Sequence, residues 1–148
     1  MEEEKIINGV HIYYLNQIPD ERGIVKHFVT ESGDVHFGEV YFSTVYPNVV
    51  KGWHGYQTKV LNYCVPIGMV HLVLWDMRKD SPTYNLVNEF YIGEQNYFRI
   101  VIPAGVMNSF KGIASPISLV AILASEKFDE RRTIRMPIHD QRIPYEWK

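Results

Sequence analysis

The chain has 148 residues, enough for one domain with a sizeable buried core and too few to require a second. Its 15 basic and 17 acidic residues leave a net charge of -2, which excludes a bulk electrostatic draw toward nucleic acid or an anionic membrane; an anionic ligand has to be held by a local cluster. Hydrophobic residues make up 46% and aromatics 14%, a balance that favours strands, and the single Cys64 excludes an intramolecular disulfide.

In chain order, Met1 to Lys5 lacks the basic and apolar regions of a secretion signal, so a cytoplasmic protein is expected. Ile6 to Leu15 predicts a strand, Ile18 to Gly23 a charged turn, and Ile24 to Thr30 a second strand. Val35 to Tyr46 predicts a long strand with Val40, Phe42 and Thr44 on one face and Tyr41, Ser43 and Val45 on the other. Val60 to Val65, turned by Pro66-Ile67-Gly68 into Met69 to Asp76, reads as a hairpin. No apolar run is long enough to cross a bilayer.

After the polar loop Lys79 to Asn85, short strands are expected at Asn88 to Ile92, Tyr97 to Ile102 and Ile117 to Ala124, with Pro103-Ala104-Gly105 and Lys111-Gly112 between the later ones. Helix is suggested only around Glu126 to Arg132, and the tail from Met136 to Lys148 is expected to lie against the body. Short strands at turn-punctuated spacing predict an all-β, closed or nearly closed double sheet, because closure limits exposed edges. A jelly-roll barrel with a short helical C-terminal segment, one domain over residues 1–148, fits best.

The chemistry is concentrated between Val49 and Lys59, where Lys51, Trp53, His54, Tyr56, Gln57 and Lys59 fall together. Three further patterns are Asp76-Met77-Arg78 leading to Ser81-Pro82-Thr83, Ile102-Pro103-Ala104-Gly105-Val106, and Asp20-Glu21-Arg22-Gly23. With Lys51-Gly52-Trp53-His54, and Asp140-Gln141 leading to Trp147, they resemble in order and separation the dTDP-4-dehydrorhamnose 3,5-epimerases, a branch of the cupins, over Ile6 to Trp147. The resemblance implies a cupin jelly roll, the double-stranded β-helix.

It also implies roles. A histidine at the place of His54 removes a proton from a carbon next to the 4-keto group of a nucleotide-linked sugar, a task suited to imidazole near neutral pH. Lys59 would stabilise the resulting enolate. Asp140, where the family supplies its histidine's carboxylate, would orient His54. Asp76, by its own position after the apolar run Val70 to Trp75, would orient His54 or pair with Lys59; the competing reading makes Asp76 a strand-end cap or the ion-pair partner of Arg78, and Asp140 a solvated charge. Arg22 and Lys51 would meet diphosphate oxygens, although lysine at 51 lacks the bidentate fork of the arginine it replaces. Tyr56, Gln57 and Tyr63 complete the expected substrate-binding set with Asn108, which stands where the family has a histidine and can donate to a sugar oxygen.

Two departures shape the expected function. The family's proton-donating tyrosine falls near Leu119 to Leu123, where this chain has no hydroxyl; Tyr56 or Tyr63 would substitute, or one centre alone would be inverted. The metal-binding pattern of other cupins is broken, since His54-Gly55-Tyr56 lacks a second histidine, so neither metal nor cofactor is expected. The sequence thus predicts a metal-independent epimerase of an NDP-4-keto-deoxysugar, acting at C3, C5 or both in deoxysugar or surface-polysaccharide synthesis, as a homodimer. Alternatives are a ketoisomerase of the same substrates and an inactive sugar-nucleotide-binding cupin.

Overall fold

A computed structural model describes residues 4–148; the secretion-signal expectation falls partly on Met1 to Glu3, outside them. Twelve strands follow in order: β1 (His11–Tyr14), β2 (Gln17–Asp20), β3 (Gly23–Lys26), β4 (Glu39–Val45), β5 (Val50–Tyr56), β6 (Leu61–Ile67), β7 (Met69–Asp76), β8 (Val87–Gly93), β9 (Phe98–Ile102), β10 (Val106–Gly112), β11 (Ser118–Ala124) and β12 (Thr133–Arg135). They build one antiparallel sheet in the order β1-β9-β6-β11-β4, a second in the order β12-β5-β10-β7-β8, and the separate hairpin β2-β3.

The main core lies between the two sheets, where inward residues of both interdigitate: Leu61, Tyr63 and Val65 of β6 and Val120 and Ile122 of β11 meet Val70, Leu72 and Leu74 of β7 and Phe110 of β10. Two smaller clusters cover the outer faces. Trp53, Val73, Trp75 and Met107 pack under Met136, Ile143 and Trp147 of the tail. Cys64, Tyr97 and Ala121 pack with Leu15, Phe28 and Leu119.

The all-β expectation and the packed tail hold, and three local expectations are corrected. β6 and β7 are not a hairpin: they belong to different sheets, and Gly68, at a φ of +86° that favours glycine, makes the corner between them. Its N–H donates to Glu94 at 2.7 Å, and Ser118 Oγ holds Met69 from both sides of the peptide, so the chain is turned out of its sheet.

β10, a central strand, lies where the sequence suggested only a stretch between turns. It is buried on both faces, so it shows no alternation, and Met107-Asn108-Ser109 carries no β-branched signal. The helical C-terminal segment reduces to one 3-10 turn, Glu130–Arg132, capped by Asp129. Pairing of β12 with β5 begins at once, Gln57 N donating to Arg132 O, and leaves no length for a helix.

Candidate active site

β5 carries the His54 stretch, and its register against β10 decides which way each side chain points. Asn108 pairs with His54 but Ser109 pairs with Gly52, so Trp53 is the extra residue of a β-bulge. The bulge puts Lys51, His54 and Tyr56 on the face toward the other sheet and sends Trp53, fully buried, into the opposite cluster. Gly52 is required here: its φ is +135°, and a Cβ would stand 2.6 Å from Ser109 Oγ. That hydroxyl donates to Lys51 O at 2.9 Å and accepts from Trp147 Nε1 at 3.0 Å, so the tail locks the bulge.

The face opens into a cavity of about 380 Å³ between the sheets. Lys51, His54 and Tyr56 of β5, Phe110 of β10 and Arg135 of β12 line it from one sheet; Glu39, Tyr41 and Ser43 of β4, Tyr63 of β6 and Ile122 of β11 line it from the other. Lys59 and Phe128 complete the wall. Three cations and an imidazole against one carboxylate make the cavity favourable to an anion.

His54 is half-buried, and burial holds its pKa below the ordinary value of 6.5, with the charges of Arg135 and Lys51 acting the same way. The ring is therefore neutral near pH 7 and able to accept a proton. Lys59 is only 5% exposed; burial lowers its pKa against the upward pull of Glu39, Glu126 and Asp129. Its Nζ lies 4.3 Å from the Tyr56 ring centre and 5.9 Å from that of Phe128, a cation held by aromatic faces. Lys51 Nζ donates to Ser43 Oγ at 3.0 Å and so ties β5 to the facing sheet.

Thus five of the expected site residues, His54, Lys59, Lys51, Tyr56 and Tyr63, line one cavity. Asn108 backs it, 1% exposed: it accepts from Tyr63 Oη at 2.9 Å and donates to His54 O at 3.2 Å, so its amide is spent on holding the site rather than turned to a ligand. Gln57 is exposed at the end of β5 and does not line the cavity.

The two expected carboxylates stand elsewhere, and no hydrogen bond or ion pair joins either to His54 among the described residues. Asp76 is buried at the end of β7, where it accepts from Arg78 Nε at 2.8 Å, Ser81 Oγ at 2.6 Å and Thr83 Oγ1 at 2.7 Å. Burial alone would raise its pKa; these hydrogen bonds outweigh burial and hold it below 3.8. Asp140 accepts from Arg142 Nη2 at 2.6 Å and Nε at 2.9 Å, which pulls its pKa down to about 2.

Arg22 sits at the tip of the β2-β3 hairpin, its side chain 83% exposed and paired with Asp20. That hairpin is tied to Glu94 and Pro66 through Lys26, at the far end of β6 from Lys59. Among the described residues no group of three or more His, Cys, Asp or Glu is placed to hold a metal ion.

Sequence reasoning missed Glu39, Tyr41, Ser43, Phe128 and Arg135. The signal for β4 was present in its alternation, which gathers Glu39, Tyr41 and Ser43 on one face. For Arg135 there was none, because only the pairing of β12 with β5 brings it beside His54.

The model of the family described as dTDP-4-dehydrorhamnose 3,5-epimerase matches residues 4–148. The chain is similar to the spore coat polysaccharide biosynthesis protein SpsL of Bacillus subtilis (strain 168), 29% identical over 146 residues that cover 96% of this chain and 97% of that one. It is similar also to the probable low-salt glycan biosynthesis epimerase Agl13 of Haloferax volcanii, 31% identical over 144 residues, 95% of this chain and 89% of that one. Among solved structures it superposes on a dTDP sugar isomerase from Desulfovibrio desulfuricans G20 with a TM-score of 0.91 and 32% identity, covering 95% of this chain and 92% of that one.

Proposed function

The chain belongs to the dTDP-4-dehydrorhamnose 3,5-epimerase family, and from that membership we propose that it inverts C3, C5 or both in an NDP-4-keto-deoxysugar, using His54 as the base. It is a nucleotide-sugar epimerase of glycan biosynthesis, a reading supported by its family and by its likeness to a spore coat polysaccharide biosynthesis protein and a probable glycan biosynthesis epimerase. The observation that carries the assignment to His54 is the bulge of β5, which turns a neutral, half-buried imidazole into a cationic cavity facing a second sheet.

In this reading the imidazole takes the proton α to the ketone, and Lys59 faces the oxygen on which negative charge develops. A cation already fixed among aromatic rings stabilises that charge without reorganising, which is where most of the barrier reduction arises. Lys51 and Arg135 at the cavity wall suit the diphosphate. The architecture is that of a cupin jelly roll, one domain long, working without metal in the cytoplasm.

A homodimer is part of the proposal. The β2-β3 hairpin stands apart from both sheets and leaves Ile18, Ile24 and Val25 exposed, an apolar surface that a second copy would cover. Arg22, on that hairpin, would serve a substrate only through such an assembly. Sedimentation equilibrium tests the dimer, and turnover on a panel of NDP-4-keto sugars, followed by NMR, tests the activity and identifies the nucleotide and sugar. Ketoisomerisation is the second reading, favoured by the apolar Ile122 in the cavity wall; migration of the keto group in the same spectra would reveal it.

A further inference from the structure

Inversion of a carbon centre needs two proton transfers from opposite faces. The base side is β5, which presents Lys51, His54 and Tyr56 together. A donor on the same sheet, Tyr56 included, reaches the substrate from the side on which the proton was lost. The replacement proton has to come from the facing sheet, whose central cavity residue, Ile122 of β11, has no proton to give.

The register of that sheet supplies an answer. Ile122 pairs with Tyr41 on β4 and with Tyr63 on β6, and directly opposed residues of antiparallel strands project from the same face. The three side chains form one row across the sheet, an apolar residue flanked by two phenols, all lining the cavity. Tyr63 is committed: it is 5% exposed and its hydroxyl donates to Asn108. Tyr41 is half-buried on the cavity wall.

We propose that Tyr41 is the acid that protonates the enolate carbon on the face opposite His54, taking over from β4 a role that β11 cannot fill. The inference rests on the epimerase reading above. The α C–H bond breaks, its proton passes to the His54 imidazole, and the electron pair moves through the new C=C bond to the carbonyl oxygen. The pair then returns to form a C–H bond with the Tyr41 proton on the other face, leaving Tyr41 as phenolate and His54 as imidazolium. Exchange with water through the cavity mouth resets both. Burial, reinforced by Tyr56, pushes the Tyr41 phenol upward, so it keeps its proton until the enolate draws it.

The test separates exchange from inversion. Wild type and Tyr41→Phe are incubated in heavy water with dTDP-4-keto-6-deoxyglucose, and NMR follows both deuterium uptake beside the ketone and the configuration of the labelled carbon. In Tyr41→Phe, uptake with retention is expected to stay within about threefold of the wild-type uptake rate, while inversion falls about 10²–10⁴-fold, the range for loss of a general acid. Inversion at the wild-type rate would overturn the assignment, as would equal loss of uptake and inversion with an unchanged unfolding midpoint. No uptake by wild type would overturn the epimerase reading along with it. If Tyr41→Phe does not fold, 3-fluorotyrosine at position 41 keeps the ring and hydroxyl but is more acidic; the basic limb of inversion then moves to lower pH, and an unmoved limb overturns the assignment.

Discussion

Arg135 stands directly across the β5–β12 ladder from His54, so the proposed base has a permanent cation as its register partner. Together with burial and Lys51, that cation holds the imidazole pKa below 6.5. A base must be unprotonated to act, so activity is present above this pKa and lost as pH falls through it. The acidic limb of kcat/KM is expected below 6.5 in wild type and at higher pH in Arg135→Gln, which removes one cause of the depression. A pH–rate profile of the two proteins checks this; coincident limbs would show that Arg135 does not act on the base.

Lys59 is the cation aimed at the developing oxyanion in the proposed mechanism. Lys59→Met keeps the length and apolar packing against Tyr56 and Phe128 but removes the charge. The expected loss is about 10²–10³-fold in kcat, in the range for removing one preorganised stabilising group, with a smaller change in KM. Steady-state kinetics distinguishes this from a binding role, in which KM would carry the effect.

Asp76 and Asp140 make opposite predictions from those of a base-orienting carboxylate. Asp76→Ala strands Arg78, Ser81 and Thr83 around an empty position and is expected to cost about 3–5 kcal/mol of stability, read by urea unfolding. Because the folded carboxyl titrates below 3.8, its contribution is full above the unfolded value and disappears as pH falls through the folded one. Asp140→Asn, which only frees Arg142, should leave the acidic limb of turnover where it is in wild type.

Much of the fold was legible because alternation and turn chemistry are local. The strand at β4, its division into two faces, the short strands of β8, β9 and β11, and the packed tail all follow from patterns a few residues long. Gly68 shows the limit: the same Pro-Ile-Gly that suits a hairpin also suits a corner, and Ser118 and Glu94, distant in sequence, decide between them. β10 was invisible because burial on both faces erases alternation.

The site was legible in the same measure. His54, Lys51 and Tyr56 were recognisable as a cluster, yet strict alternation would have put Lys51 on the other face of β5; the bulge at Trp53, driven by Gly52 and Ser109, reunites them. For Asp76 the competing reading, pairing with Arg78, is the one the fold uses, and Asp140 is held in the same way by Arg142, in each case an arginine two residues later. Tyr41 was visible only as one face of a strand. Its placement beside Ile122 is a matter of inter-strand register, which no single stretch of sequence encodes.

The most direct measurement is solvent deuterium uptake at the carbons flanking the ketone of dTDP-4-keto-6-deoxyglucose, compared between wild type and His54→Ala at pH 7. With His54 as the base, wild type incorporates deuterium at C3 or C5 without keto migration, and His54→Ala is slower by about 10²–10⁴-fold. Uptake by His54→Ala as fast as by wild type would contradict the central assignment.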